Sequence, residues 1–190
     1  YDSLTQLPNR ALMIDRLAQA LSESERSDRG GALLFIDLDN FKTLNDTMGH
    51  DKGDMLLKQV AHRLSGCVRH IDTVARFGGD EFVVIIEKFA EQSQVLALAE
   101  KLRAALALPI LIGTQTFHIS SSIGMALFPD NGGEAEQLVR GADTAMYEAK
   151  AAGRNTYRFF DPRMQAALDA SASLEADLRS ALARRELLLY

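Results

Sequence analysis

Two glycines followed by two acids, Gly78–Gly79–Asp80–Glu81, lie between the apolar runs 73–77 and 82–86. Strands joined through Gly-Gly read as a hairpin with a tight turn, because glycine enters positive φ without steric cost. Carboxylates at a glycine-bared tip suit a hard cation and a phosphate-bearing substrate that approaches the backbone closely. A solvated acidic turn is the plainer alternative. A second acidic pair, Asp37 and Asp39, closes the apolar run of FIDLDNFK. Strand alternation puts residues i and i+2 on one face, so the two carboxylates are expected to converge. A strand end beside an acidic hairpin is a place to build a divalent-metal site from a few oxygens completed by substrate phosphates. Acids also end strands with no ligand involved.

Other groups have the chemistry to complete such a site. Asn45 and Asp54 flank the segment DTMGHDKG, and an amide with a carboxylate can read the donor and acceptor edge of guanine. Asn, Asp and Gly build loops regardless of function. Lys150 and Arg154, four apart at the end of an expected helix, either complement its dipole or hold terminal phosphates, and Lys42 is a similar candidate. Arg69 and Asp72 form R-x-x-D, readable as a surface ion pair or as a bidentate guanine contact. The four histidines show no zinc spacing with one another or with Cys67, and there is no P-loop, serine elbow or Cys–His pair.

The elements that must position these groups follow from periodicity. Helices are expected over about 9–22, 50–66 and 93–106, with a fourth marked by Leu138, Ala142, Ala145 and Ala149 and ended by Gly153. Strands are expected at 32–37, in the hairpin, across 116–127 and at 157–160, with polar loops at 23–31 and before His50. Alternating strands and helices imply an α+β or α/β sandwich, a central mixed sheet whose middle follows the ferredoxin-like β-α-β-β-α-β order. After Phe160, Asp161 and Pro162 start a new helix as N-cap and first residue.

Composition sets bounds. A length of 190 residues, 47% of them hydrophobic and 25% charged, favours one globular domain with an appendage. No apolar run approaches the ~18 residues that span a bilayer, and no signal peptide is visible, so a cytoplasmic domain is expected, with membrane attachment of a parent protein left open. The single cysteine, Cys67, rules out an internal disulfide. A net charge of −5 disfavours bulk nucleic-acid binding, so an anionic substrate needs local cations. The first residue is not methionine, and a piece of a longer chain is expected.

Together these segments resemble the GGDEF family of diguanylate cyclases over about residues 2–160. DSLTQLPNR, FIDLDNFKTLND, GHDKGD, RHID, RFGGDEF, SSSIGMA and ADTAMYEAKAAGRN occur in that family's order. Residues 161–190 resemble a linker helix and the first residues of an EAL phosphodiesterase domain, which implies a dual-domain parent divided at 160/161.

The resemblance implies a fold similar to nucleotidyl cyclase catalytic domains and condensation of two GTP into cyclic di-GMP with release of two pyrophosphates. It implies Mg2+ (or Mn2+) held by Asp37, the Leu38 carbonyl, Asp80 and Glu81. Asp80 and Glu81 would be the catalytic acids, Asp80 helping to deprotonate the attacking 3′-hydroxyl. Asn45 and Asp54 match the guanine readers. Lys150, Arg154, Lys42 and the main chain near Phe41 match the triphosphate contacts, and Gly78 and Gly79 leave room for ribose and α-phosphate. Arg69 and Asp72 match an inhibitory site for cyclic di-GMP. Each domain holds one GTP, so turnover requires a homodimer. A catalytically silent GTP-binding module controlling an adjacent EAL domain is the alternative. One departure stands out: Gln6 replaces a glycine of the family pattern, a strain of ~1 kcal/mol if that position has positive φ.

Overall fold

Eight consecutive residues, Gly31–Leu38, form the strand β1, and all eight are buried. A strand covered on both faces must lie at the centre of a sheet. In the computed structural model, which describes residues 1–27 and 29–166, β1 pairs antiparallel with β3 (Glu81–Ile86) on one side and β6 (Ser121–Phe128) on the other. The strand β2 (Thr73–Gly78) joins β3 through the Gly78–Asp80 turn, and β7 (Tyr157–Phe159) adds parallel to β6. The order β2-β3-β1-β6-β7 contains the ferredoxin-like arrangement, extended by one parallel edge strand.

Alternation along β1 divides the core. Ala32, Leu34, Ile36 and Leu38 join the apolar cluster with α3 (His50–Cys67) and α4 (Gln92–Ala107). Leu33 and Phe35 point the other way, to α1 (Arg10–Ser27) and α5 (Ala135–Ala151). Helix α5 lies against the sheet at Gly124 of β6. A Cβ there would stand 1.9 Å from the Ala142 carbonyl oxygen and 2.2 Å from the Met146 nitrogen. Its buried stripe of Gly141, Ala142, Ala145 and Ala149 is small enough to permit that approach.

Several expectations are corrected. The first helix runs on to Ser27, so residues 23–27 are helix rather than loop; Asn9 starts it, its Oδ1 accepting from the Leu12 N–H at 3.0 Å. The polar stretch before His50 contains a helix, α2 (Phe41–Met48), with Phe41, Leu44 and Met48 packed inward. Two three-residue strands, β4 (Ile110–Ile112) and β5 (Gln115–Phe117), make a separate small hairpin, and of the 116–127 segment only the part from Ser121 onward joins the main sheet, in a strand that runs to Phe128. Gln6 does have positive φ, 61°, so the departure from glycine falls at a left-handed residue.

Contacts divide the chain into a unit Tyr1–Phe160 and a unit Asp161–Tyr190. In the second, the Asp161 carboxylate accepts the Arg163 N–H at 2.9 Å at the start of helical residues 162–166. The remainder of the expected linker helix and the EAL-like start lie outside the described residues. Among the described residues no helix is long and apolar enough to cross a membrane.

Candidate functional site

The β1–β3 register brings the first carboxylates together. Asp37 is directly opposite Glu81, and the Leu38 N–H donates to the Asp80 carbonyl oxygen at 3.3 Å. The sequence produces this because β1 and the hairpin end at the same edge of the sheet. Asp37 is 7% exposed, and Lys150, from the last turn of α5, reaches its Oδ2 at 2.7 Å. Burial raises the Asp37 carboxyl above the ordinary carboxylate value; Lys150 opposes this, while Asp80 and Asp39 add to it. Glu81 is raised too, by burial first, then by the charges of Asp143, Asp37 and Asp80. Such mutually repelling, partly desolvated carboxylates favour added positive charge.

Among the described residues no three His, Cys, Asp or Glu side chains form a ready-made metal cluster. A divalent cation that arrives with a phosphate substrate does not need a ready-made cluster, because substrate oxygens complete its shell. The residues present fit such an ion.

A clamp fixes the turn that carries Asp80. Arg76 donates through Nε and Nη2 to the Gly79 carbonyl oxygen, at 3.0 and 2.7 Å. Its Nη1 meets both carboxylate oxygens of Asp2, at 3.2 and 3.1 Å. Asp2 Oδ1 also accepts from the Thr5 N–H and hydroxyl, at 2.8 and 2.6 Å. The Gly79 carbonyl held by Arg76 and the Asp80 carbonyl held by Leu38 leave the Asp80 main chain little freedom.

Burial tends to raise the Asp2 carboxyl, but bonds from Thr5 and Arg76 outweigh it and hold it below the ordinary value. A depressed carboxylate contributes stability at neutral pH, lost as pH falls through its folded-state pKa. The stability difference between wild type and Asp2→Asn is therefore expected to stay constant above about pH 4 and to shrink below it. Melting curves of both proteins across that range test this; a difference independent of pH down to acid unfolding would be the contrary result.

Helix α2 follows β1 after Asp39 and Asn40, Asn40 adopting left-handed φ 60° to turn the chain. Its N-terminal amides, with Lys42 exposed and Phe41 buried in the first turn, make an anion-favouring end close to Asp37. Asn45 packs on α3: a Cβ at Gly53 would come within 1.7 Å of Asn45 Oδ1. That oxygen is buried and, among the described residues, has no hydrogen-bond donor. An orphaned acceptor costs free energy unless a ligand fills it. Asp54 is exposed on the next residue of α3. Gly53→Ala is expected to swing the Asn45 amide aside with little loss of melting temperature, which a thermal melt checks.

Asp39 does not converge with Asp37. The strand ends at Leu38, and Asp39, 5% exposed, turns to β6, its Oδ1 accepting from the Ser122 hydroxyl at 2.7 Å. Its Oδ2 accepts from the Ser120 hydroxyl at 2.6 Å and the Asn155 N–H at 3.1 Å. Arg154 lies beyond the end of α5, exposed.

Arg69 and Asp72 are apart from the carboxylate cluster. They form a local turn before β2, with Arg69 N–H donating to Asp72 Oδ2 and Asp72 N–H to the Arg69 carbonyl, each at 3.0 Å. This turn borders a groove of about 320 Å3 that Lys88 and Lys101 also line, continuous in residues with a hollow of about 860 Å3 on the side of Phe128. Asp72 Oδ1 is buried there with no donor among the described residues.

Residues 1–156 match the family described as "Diguanylate cyclase, GGDEF domain". The chain belongs to the GGDEF family. Among curated relatives, a "Bifunctional diguanylate cyclase/cyclic di-GMP phosphodiesterase MucR" of Pseudomonas aeruginosa is 48% identical over 190 residues. That match takes in 100% of this chain and 28% of MucR, so the chain spans about a quarter of that relative's length. The GGDEF domain of TpbB from Pseudomonas aeruginosa superposes with a TM-score of 0.86 at 39% identity, covering 89% of this chain and 99% of that one. A coiled-coil and GGDEF structure of DgcB from Caulobacter crescentus, in complex with c-di-GMP, gives 0.74 at 30%, covering 84% and 83%.

In this GGDEF domain the geometry brings Asp37, Leu38, Asp80, Glu81 and Lys150 together, with α2 beside them. Sequence reasoning missed Arg76, Asp2, Asp143 and the structural use of Asp39. Arg76 immediately precedes Phe77 of the hairpin, and its pairing with Asp2 spans 74 residues that no local pattern links. Asp143 is seven residues before Lys150, two turns along one helix face, which periodicity could have revealed.

Proposed function

We propose that this GGDEF domain condenses two GTP into cyclic di-GMP. The observation that carries the reading is the meeting of the buried Asp37, paired with a partly exposed Lys150, with the Asp80–Glu81 turn at one sheet edge. Mg2+ or Mn2+, held by Asp37, Asp80, Glu81 and the Leu38 carbonyl, would supply Lewis acidity toward the 3′-hydroxyl and charge for the departing pyrophosphate. Asp80 accepts the hydroxyl proton, with Glu81 shaping the same negative field. Lys150, Arg154, Lys42 and the α2 amides near Phe41 hold the phosphates. Asn45 and Asp54 read guanine.

A Cβ at Gly78 or Gly79 would meet nothing within 4 Å, and Gly78 lacks positive φ. The fold itself therefore does not demand glycine at 78, and the space beside it suits ribose and α-phosphate. One site holds one nucleotide, so the attacking hydroxyl comes from a GTP on a second copy of the domain. GTP places the reaction in the cytoplasm, and the parent protein carries an EAL domain after residue 160.

The test is incubation with GTP and Mg2+ over a series of protein concentrations, with chromatography for cyclic di-GMP. GTP binding without product at every concentration, enforced dimers included, would falsify the cyclase reading in favour of a regulatory GTP-binding module for the EAL domain.

The Arg69–Asp72 groove is proposed as the cyclic di-GMP inhibitory site, its cations matched to the two phosphates of that ligand. Arg69→Ala is expected to retain the initial rate and to raise the product concentration for half-inhibition about tenfold or more. Inhibition equal to wild type assigns product binding elsewhere.

A further inference from the structure

Arg154 and Asn155 are consecutive left-handed residues, φ 63° and 47°, and neither is glycine. That conformation is disfavoured for residues with a Cβ, less so for Asn, and persists only where the surroundings over-determine it. Helix capping accounts for Arg154 but not for Asn155. The end of α5 is already closed by Ala152, Gly153 and Arg154, whose N–H groups donate to Glu148, Lys150 and Ala149 carbonyls. Asn155 takes no part in that closure and is gripped twice more.

Its N–H goes to Asp39 Oδ2 at 3.1 Å, and its side-chain Oδ1 accepts from Arg103 Nη1 at 2.9 Å. Both holders are themselves fixed. Asp39 is buried and bound by the Ser120 and Ser122 hydroxyls. Arg103, on α4, is locked by a two-pronged pairing with Glu100, Nε to Oε2 at 2.9 Å and Nη2 to Oε1 at 2.7 Å. Neither holder has an arrangement suited to touching nucleotide: the Asp39 oxygens already accept three bonds, and the Arg103 fork is spent on Glu100 and Asn155.

We propose that Asn155, clasped between Asp39 and Arg103, is a positioning residue that aims Arg154 at the terminal phosphates of GTP. Arg103, on the surface of a different helix, is thereby a remote determinant of affinity for the triphosphate. The inference rests on the GTP-binding reading above and deepens it: the specificity it sets is for β- and γ-phosphates, and not for guanine. A residue with only a structural role would move affinity for all guanine nucleotides together.

The experiment titrates the full chain with 3′-deoxy-GTP, which lacks the attacking hydroxyl and cannot turn over, and with GMP, which lacks the terminal phosphates. Arg103→Ala is expected to weaken 3′-deoxy-GTP about tenfold and leave GMP affinity unchanged. Asn155→Gly, which keeps the backbone shape and the N–H bond to Asp39 but removes the Arg103 contact, is expected to do the same, and it serves should Arg103→Ala fail to fold. Arg154→Ala should match either loss, and Arg103→Ala added to it should cause no further weakening, as for residues acting through one contact. The proposal is overturned if either variant leaves triphosphate affinity intact, weakens both ligands equally, or multiplies the Arg154→Ala loss. Failure of the unaltered chain to bind 3′-deoxy-GTP overturns the GTP reading itself, and the inference with it.

Discussion

Asparagine at position 37 is expected to lower cyclic di-GMP formation by roughly 10³-fold, the scale on which a catalytic metal site operates. The side chain is nearly the same size, so the fold has no cavity to absorb. What is removed is the carboxylate that Lys150 grips at 2.7 Å and that burial has already raised. A carboxyl whose folded-state value is raised costs stability in its ionised form at neutral pH. The asparagine variant is therefore expected to melt no lower than wild type while losing turnover. Lys150, freed from Asp37, remains available to phosphate, so GTP affinity measured in EDTA should hold or tighten. Initial rates by chromatography, a melting curve and calorimetry in EDTA give the three readouts. A wild-type rate would remove Asp37 from the reaction centre.

Gly124→Ala is expected to abolish the folded state or lower its stability by about 4 kcal/mol or more, a large part of the total for a domain of this size. The added methyl meets main chain and not movable side chain: the Ala142 carbonyl at 1.9 Å and the Met146 nitrogen at 2.2 Å. Relief requires α5 to move off β6, and with it Lys150. The matched control is Gly66→Ala in α3, where a Cβ meets nothing within 4 Å and alanine should add about 0.5–1 kcal/mol of stability. Urea titrations of both variants decide it. Equal midpoints would mean the β6–α5 approach is looser than it stands here.

The parts of the fold legible in the sequence are those where one physical rule dominates. The hairpin was readable because Gly78–Gly79 punctuates two apolar runs, and β1 because its apolar run has the length of a buried strand. Helix α2 was not, since Asn, Asp and Thr favour loops by propensity and only Phe41, Leu44 and Met48 mark its inward face. The β4–β5 hairpin has three-residue strands, too short for a period to show. Helix α1 ran past its expected end because Ser24 is buried and its hydroxyl donates to the Arg29 carbonyl at 2.7 Å, a tertiary contact overriding polarity.

The site divides the same way. Asp37, Asp80 and Glu81 could be grouped because strand ends and turns are local features. Asp39 misled because alternation holds only while a strand lasts, and β1 stops one residue before it. Arg76 and Arg103 were invisible for a different reason. Their partners Asp2 and Asn155 lie 74 and 52 residues away, brought close by the whole sheet and not by any pattern around them.

The bond from the Asn155 N–H to Asp39 closes a span of 116 residues. Long closures of this kind come late in folding, because their loop-closure entropy falls only as intervening structure forms. During synthesis the carboxylates of β1 and the hairpin emerge well before Arg154, which leaves the ribosome only as the domain is almost complete. A nascent chain thus carries those acidic groups before Arg154, and the bond from Asn155 to Asp39 acts as a completion mark, made only by a domain whose last strand is in place.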